Sequence, residues 1–180
     1  IPVWRDDDAL TRALQRLPPA QSLTWSAEGL KVKRYWTLPE GGEVRYRPAG
    51  DYVEHFRELL EIAVADRLRT SKVVVEMSGG LDSTAIAVTA KNLLARQSAP
   101  FELHAQTVVY DRLIPDEERR FAGMAAQMLG IPIHYCVADD YRLYEQYERS
   151  GAHFPEPLHE PDGAVSFDAL RAQAARCRVM

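Results

Sequence analysis

The chain has 180 residues, 46% of them hydrophobic and 27% charged, enough for one complete domain, or one domain plus a fragment of another, around a real apolar core. Its net charge of −4, with no basic stripe to offset it, argues against nucleic acid as the main partner. No apolar run approaches the roughly eighteen residues of a membrane span, IPVWRDDDAL is no signal peptide, and Cys136 and Cys177 are too few and too far apart for a metal motif or disulfide framework, so a reducing, cytoplasmic setting fits best.

In chain order, Asp8 is placed to cap a short helix carrying Leu10, Ala13, Leu14 and Leu17, which stops at Pro18 and Pro19. Ser22 to Ser26 and Leu30 to Trp36 read as two strands around an Ala27-Glu28-Gly29 turn. A lone hairpin is marginal in water, so this one either packs on the domain after it or ends an earlier domain. Pro39 to Gly50 reads as a linker. Tyr52, Phe56, Leu59, Leu60, Ala63, Val64 and Leu68 recur at helical spacing.

Beyond that helix, strand and helix alternate. Val73 to Val75 form a buried-type strand, followed by a helix running to about Gln97. Phe101 to Val109 is a second strand, and the next helix carries Phe121, Met124, Ala125, Met128 and Leu129 on one stripe that reads as core. Ile131 to Val137 is a third strand, followed by a helix over Asp140 to Arg149 and a loop from Gly151 to Gly163 long enough to be either functional or mobile. A helix over Ser166 to Arg176 leads to Arg178-Val179-Met180, which looks like the opening of a fourth strand. The fold class expected is α/β, a doubly wound parallel sheet whose ligand site lies at the carboxyl ends of its strands.

The stretch VVVEMSGGLDSTAIAV, Val73 to Val88, carries the chemistry. It compresses a buried strand, a glycine turn and a helix start, and the unpaired N–H groups and positive dipole end of that helix make an anion site. Gly79 and Gly80 tolerate backbone angles costly to other residues and leave room for a ligand, while Ser78 and Ser83 add hydroxyl donors. The Asp82 carboxylate is out of place beside a bare phosphate and fits beside a magnesium-bound polyphosphate. The loop is neither a Walker turn, since no lysine follows the glycines, nor a GxGxxG turn. The plainer reading is a strand-to-helix turn with Asp82 and Ser83 as ordinary caps. Elsewhere His55, His104, His134, His153 and His159 form no metal spacing, Arg119 and Arg120 read as a solvated face, and Asp116, Glu117 and Glu118 read as helix-dipole charge.

SGGLDS resembles the signature loop of the N-type ATP pyrophosphatases, which release pyrophosphate from ATP and leave an adenylate on a substrate oxygen. Together with RYW (Arg34 to Trp36), LHAQTVV, DEERRFAGMAAQMLG and the PEP-containing loop, it makes the chain similar to the asparagine synthetase family over nearly its whole length. The resemblance implies that residues 1–38 end a glutaminase-like domain, 39–50 form a linker, and 51–180 are the N-terminal half of an ATP-binding synthetase domain. It implies ATP and Mg²⁺, with Met77, Ser78, Gly79, Gly80, Leu81, Asp82, Ser83 and Val108 binding nucleotide, Asp82 and Ser83 catalytic, and Asp82 on the metal. The expected partners are a small-molecule or peptide carboxylate and glutamine or ammonia as nitrogen source, with no nucleic acid, no membrane and a homodimer as a possible assembly. Two departures stand out: the family's N-terminal cysteine nucleophile has no counterpart before Ile1, and the GxGGDE-like turn would fall beyond Met180. The 180 residues by themselves are therefore expected to be inactive. Alternatives are a macrolactam cyclase or β-lactam synthetase of the same family, a GMP- or NAD-synthetase-like enzyme, and a non-catalytic nucleotide-binding fragment.

Overall fold

Alternating Leu23, Trp25, Leu30 and Val32 set the register of an antiparallel hairpin, β1 (Gln21–Ser26) and β2 (Gly29–Arg34), in which Leu23 faces Val32 and Trp25 faces Leu30. Gly29, at φ +112°, leaves the two-residue Ala27-Glu28 turn, and the Tyr35 N–H donates to the Ala20 carbonyl, extending the pairing by one step. In this computed structural model the described residues are 17–149 and 160–177. The expected helix at Asp8, residues 151–159 of the Gly151–Gly163 loop and the start of a fourth strand lie outside them. The chain divides into two compact units between Tyr46 and Arg47.

The second unit opens with α1 (Ala49–Ala65), entered through Pro48 in an extended conformation. Then come β3 (Lys72–Glu76), α2 (Leu81–Ala95), β4 (Glu102–Val109), α3 (Glu118–Leu129), β5 (Ile133–Val137), the single turn α4 (Gln146–Arg149) and α5 (Gly163–Ala174). The strands form a parallel sheet in the order β3-β4-β5, with Val75 beside Ala105 and Ala105 beside Ile133. Because side chains alternate across a strand, Met77, Ala105 and Ile133 meet Ala87 of α2 and Ala126 of α3 on one face. On the other, Gln106 donates from Nε2 to the Ala169 carbonyl of α5 at 2.9 Å, and Gln173 of α5 donates to Glu76 at 2.9 Å. Helices thus cover both faces, as a doubly wound α/β unit requires. Ion pairing of Glu61 with both terminal nitrogens of Arg96, at 2.9 and 3.0 Å, ties α1 to α2.

Three expectations are corrected. Only part of the stripe expected on α3 faces the core: Ala125 and Leu129 pack against it, whereas Phe121, Met124 and Met128 are exposed, Met128 at 87%, and the buried positions are Ala122 and Ala126. Small side chains are what permit the close approach of α3 to the sheet. On α1 the apolar positions Tyr52, Phe56 and Leu59 are likewise exposed and Val64 is the buried one. The helix expected over Asp140 to Arg149 shrinks to its last turn, because Tyr144 adopts φ +61°, outside right-handed helical angles.

Between β4 and β5, on the α5 side, the His104 and His134 rings stack at 5.4 Å with a 14° interplanar angle, and Nδ1 of the first lies 3.2 Å from Nε2 of the second. Burial lowers the pKa of His134, helped by the charges of Arg176 and His104. A lowered folded pKa means that the unfolded chain takes up the proton first. Stability is therefore full above the ordinary histidine range and falls as pH drops below about 6.5. Thermal midpoints of the intact protein between pH 7 and 5 should decline, and His134→Gln should flatten that slope; an unchanged slope in the variant assigns the titration elsewhere.

Candidate functional site

The site is built where β3 stops. After Glu76 the Met77 N–H still donates to the Gln106 carbonyl at 2.9 Å, and the chain then leaves the sheet through Ser78, Gly79 at φ +84° and Gly80 at φ −68°, ψ 166°. Gly80 is the N-cap residue of α2, and no side chain caps that helix. The reading of Asp82 and Ser83 as ordinary caps is thereby removed: the first-turn N–H groups of α2 are left open, with its dipole, for an anion. Ser78 and Ser83 face each other at 3.2 Å between hydroxyls, and Ser78 Oγ also accepts the long 3.4 Å bond from the Gly80 N–H. These contacts, with a further 3.4 Å bond from the Ser83 hydroxyl to the Gly80 carbonyl, hold the turn through long bonds.

Gly79 has a second task. A Cβ there would lie 2.4 Å from the Ala122 nitrogen and 2.4 Å from the Phe121 carbonyl carbon, so the turn presses directly on the backbone of α3. At Gly80 a Cβ would meet only Ser78 Oγ at 3.4 Å. The two glycines therefore differ: the first is demanded by packing and backbone angle, the second only by access.

A cavity of about 360 Å³ opens beside the turn, walled by Glu76, Met77, Ser78 and Ser83, by Gln106, Thr107 and Val108 of β4, and by Glu118 of α3. Of the residues expected from the sequence, Met77, Ser78, Ser83 and Val108 come together here, although Met77 is also a core residue at 1% exposure. Gly79, Gly80, Leu81 and Asp82 lie outside the wall: Leu81 is 91% exposed, and Asp82 stands exposed on the first turn of α2. Glu76, Gln106, Thr107 and Glu118 join the site without being expected from the sequence. A glutamine inside the apolar run LHAQTVV is the available signal for one of them. A larger cavity of about 600 Å³ runs along the free edge of β3, lined mainly by apolar residues such as Leu60, Val73, Val75 and Leu170, and offers no comparable chemistry.

The connection from β4 to α3 is braced by carboxylates. Asp116 accepts the N–H groups of Tyr110 and Glu118 at 2.8 and 2.7 Å, and Asp111 takes both Nε and Nη2 of Arg119 at 2.7 Å. Asp139, after β5, accepts the N–H groups of Asp111, Arg112 and Leu113 at 2.7–2.9 Å. Desolvation opposes its charge, yet those three bonds and the Arg112 charge hold its pKa below the ordinary carboxylate range. Among the described residues no group of three His, Cys, Asp or Glu side chains is placed to hold a metal ion, no helix is long and apolar enough to cross a membrane, and both cysteines are free.

A glycine turn feeding an uncapped helix at the carboxyl end of a parallel strand defines an α/β domain with an anion site at that end of its sheet. The chain belongs to the asparagine synthase family, whose model, described as Asparagine synthase, matches residues 55–180. It is 27% identical over 150 residues to glutamine-hydrolyzing asparagine synthetase 3 of Bacillus subtilis (strain 168), an alignment covering 77% of this chain and 24% of that protein. The chain thus spans about a quarter of the length of the curated relative it matches.

Gly79→Ala should cost on the order of 3 kcal/mol or more, combining a strained φ with a backbone clash, whereas Gly80→Ala should cost under about 1 kcal/mol. Urea-unfolding midpoints of the two variants check this; equal losses would refute the division of labour between the glycines.

Proposed function

We propose that this chain carries the ATP-binding part of a glutamine-dependent, asparagine synthetase-like ligase. On this reading residues 1–38 end a glutaminase-like domain, 39–50 link it, and 51–180 begin the synthetase domain. The observation that carries the proposal is the open, uncapped start of α2 beside a cavity at the carboxyl ends of β3 and β4.

The chemistry arises from what a carboxylate lacks. It is a poor acylating agent, so one of its oxygens attacks the α-phosphorus of ATP, the bond to the β-phosphate bridging oxygen breaks, and pyrophosphate leaves with the electron pair. Ammonia released from glutamine then attacks the acyl carbon, the C–O bond to AMP breaks, and the nitrogen loses a proton to give the amide. Charge grows on the departing phosphates, and fixed donors aimed at that point lower the barrier. The N–H groups of Gly79, Gly80 and Leu81 and the Ser78 and Ser83 hydroxyls supply them here. Asp82 is the residue that would hold Mg²⁺ together with phosphate oxygens, where the ion neutralises developing charge. Val108, with Met77, borders the base.

With intact protein, Mg²⁺ and candidate carboxylic acids, ATP should release pyrophosphate only when the right acid is present, and Asp82→Asn should lower that rate about 10²-fold. Absence of pyrophosphate with every acid tried, together with unaltered ATP binding by Asp82→Asn, would sink the ligase reading.

A further inference from the structure

The 360 Å³ cavity offers the Ser78 and Ser83 hydroxyls at the turn, but it also holds the carboxylates of Glu76 and Glu118, and no lysine or arginine lines it. Glu76 is engaged, since Gln173 donates to its Oε1 at 2.9 Å. Glu118 has less support. The two cations that follow it on α3 are committed elsewhere, Arg119 to Asp111 and Arg120 to Glu117. Among the described residues its carboxylate meets the Thr107 hydroxyl, 3.3 Å from Oε2, and that hydroxyl has a single proton to divide between Glu118 and the Val108 carbonyl, also at 3.3 Å. A carboxylate can accept about four hydrogen bonds, so most of this capacity is unused. Glu118 is exposed and lines the cavity, so a ligand there can reach it.

Its place in the fold says which part of a ligand it meets. Side chains alternate across β4, so Thr107 shares the face of Ala105, on which α2 and α3 pack, whereas Val108 shares the face of Gln106 and α5. Glu118 therefore stands on the same side of the sheet as the start of α2, where the phosphates bind on the reading above, and Val108, bordering the base, faces the other side. The sugar joins the two, and it carries the hydroxyl donors. A triphosphate gains nothing from a bare carboxylate, whereas a sugar hydroxyl forms with it a charge-assisted bond, shorter and stronger than a neutral one.

Resting on the nucleotide site proposed for this cavity, we propose that Glu118 is a specificity-determining residue, its carboxylate accepting a hydrogen bond from a ribose hydroxyl of the bound nucleotide, so that the site selects ribonucleoside over deoxyribonucleoside triphosphates. Asp116, which accepts the Glu118 N–H at 2.7 Å, fixes the residue at the head of α3 for this task. A deoxy analogue leaves the acceptor without its donor, and a site built around such a bond rejects the analogue more strongly than an apolar pocket would.

The test is competition binding to the intact protein, with Mg²⁺, of ATP, 2′-deoxy-ATP, 3′-deoxy-ATP and purine riboside triphosphate, which lacks the 6-amino group. The wild type should bind ATP about tenfold more tightly than at least one of the deoxy analogues. Glu118→Met, similar in length but without a comparable acceptor, should bring that ratio to within about twofold; the ratio is read because removing a negative charge raises the binding of every triphosphate. Glu118→Gln, which keeps an acceptor oxygen, should retain about threefold. Wild-type binding of both deoxy analogues as tight as that of ATP overturns the inference with unmodified protein, and so does discrimination that survives undiminished in Glu118→Met. A preference for ATP over purine riboside triphosphate that Glu118→Met abolishes, with the deoxy ratios unmoved, assigns the carboxylate to the base and overturns it too. Failure of all four nucleotides to bind overturns the nucleotide reading with it, so the two failures are distinguishable.

Discussion

The contact between Gly79 and the backbone of α3 is the constraint on which the site depends. With φ at +84° and atoms of Phe121 and Ala122 where a side chain would begin, the turn after β3 can take one course only. That course sends Gly80 into the N-cap position of α2, places Ser78 and Ser83 within 3.2 Å of each other, and leaves the first N–H groups of α2 without a side-chain cap. The same closeness explains the core. Ala87, Ala105, Ala122 and Ala126 are buried because a larger side chain at any of them would push α2 or α3 away from the sheet. Anion site and packing are two results of one steric fact.

Rigidity on the opposite side comes from charges used as backbone acceptors. Surface ion pairs contribute little, commonly 0–1 kcal/mol, and a carboxylate gripping several N–H groups is a firmer device. Asp116 and Asp139 take four backbone N–H groups from the connection between β4 and α3 and a fifth from Glu118 at the start of α3, and Arg119 is held between Asp111 and the Tyr135 ring, 4.4 Å from its centroid. Glu118, at the head of α3, is thereby fixed in the cavity wall.

How much of this is legible in the sequence depends on how local each signal is. The valine run, the paired glycines and the hairpin turn act over a few residues, and the elements they signal are present, although Gly29 joins β2 and that strand stops at Arg34 rather than Trp36. The α/β alternation needs only periodicity. The buried face of α3 escapes periodicity, which weights large residues, whereas burial here is decided by the distance between two backbones, which only the fold sets. The early break at Tyr144 carries no sequence mark, being neither glycine nor asparagine. Gln106 and Glu118 lie twelve residues apart, and only the passage from β4 to α3 puts both beside the Ser78–Ser83 turn. Site residues on the loop are legible from local signals; of those that topology brings in from β4 and α3, Val108 alone is expected, through the family resemblance.

Asp82 shows how such a site can prefer one anion over another. This residue stands on the first turn of α2, at the positive end of the helix dipole. An incoming phosphate competes for the same positive end and meets a carboxylate, a repulsion of about 1 kcal/mol at 4 Å even in water and more as the site closes. A divalent cation reverses the sign of that contact, since carboxylate and phosphate then share it. Without a cluster of three acidic or imidazole ligands among the described residues, the ion has too few protein donors to stay alone. On the ligase reading proposed above, Asp82 and the phosphates would share one divalent ion, and binding of the cation and of the polyphosphate would be coupled.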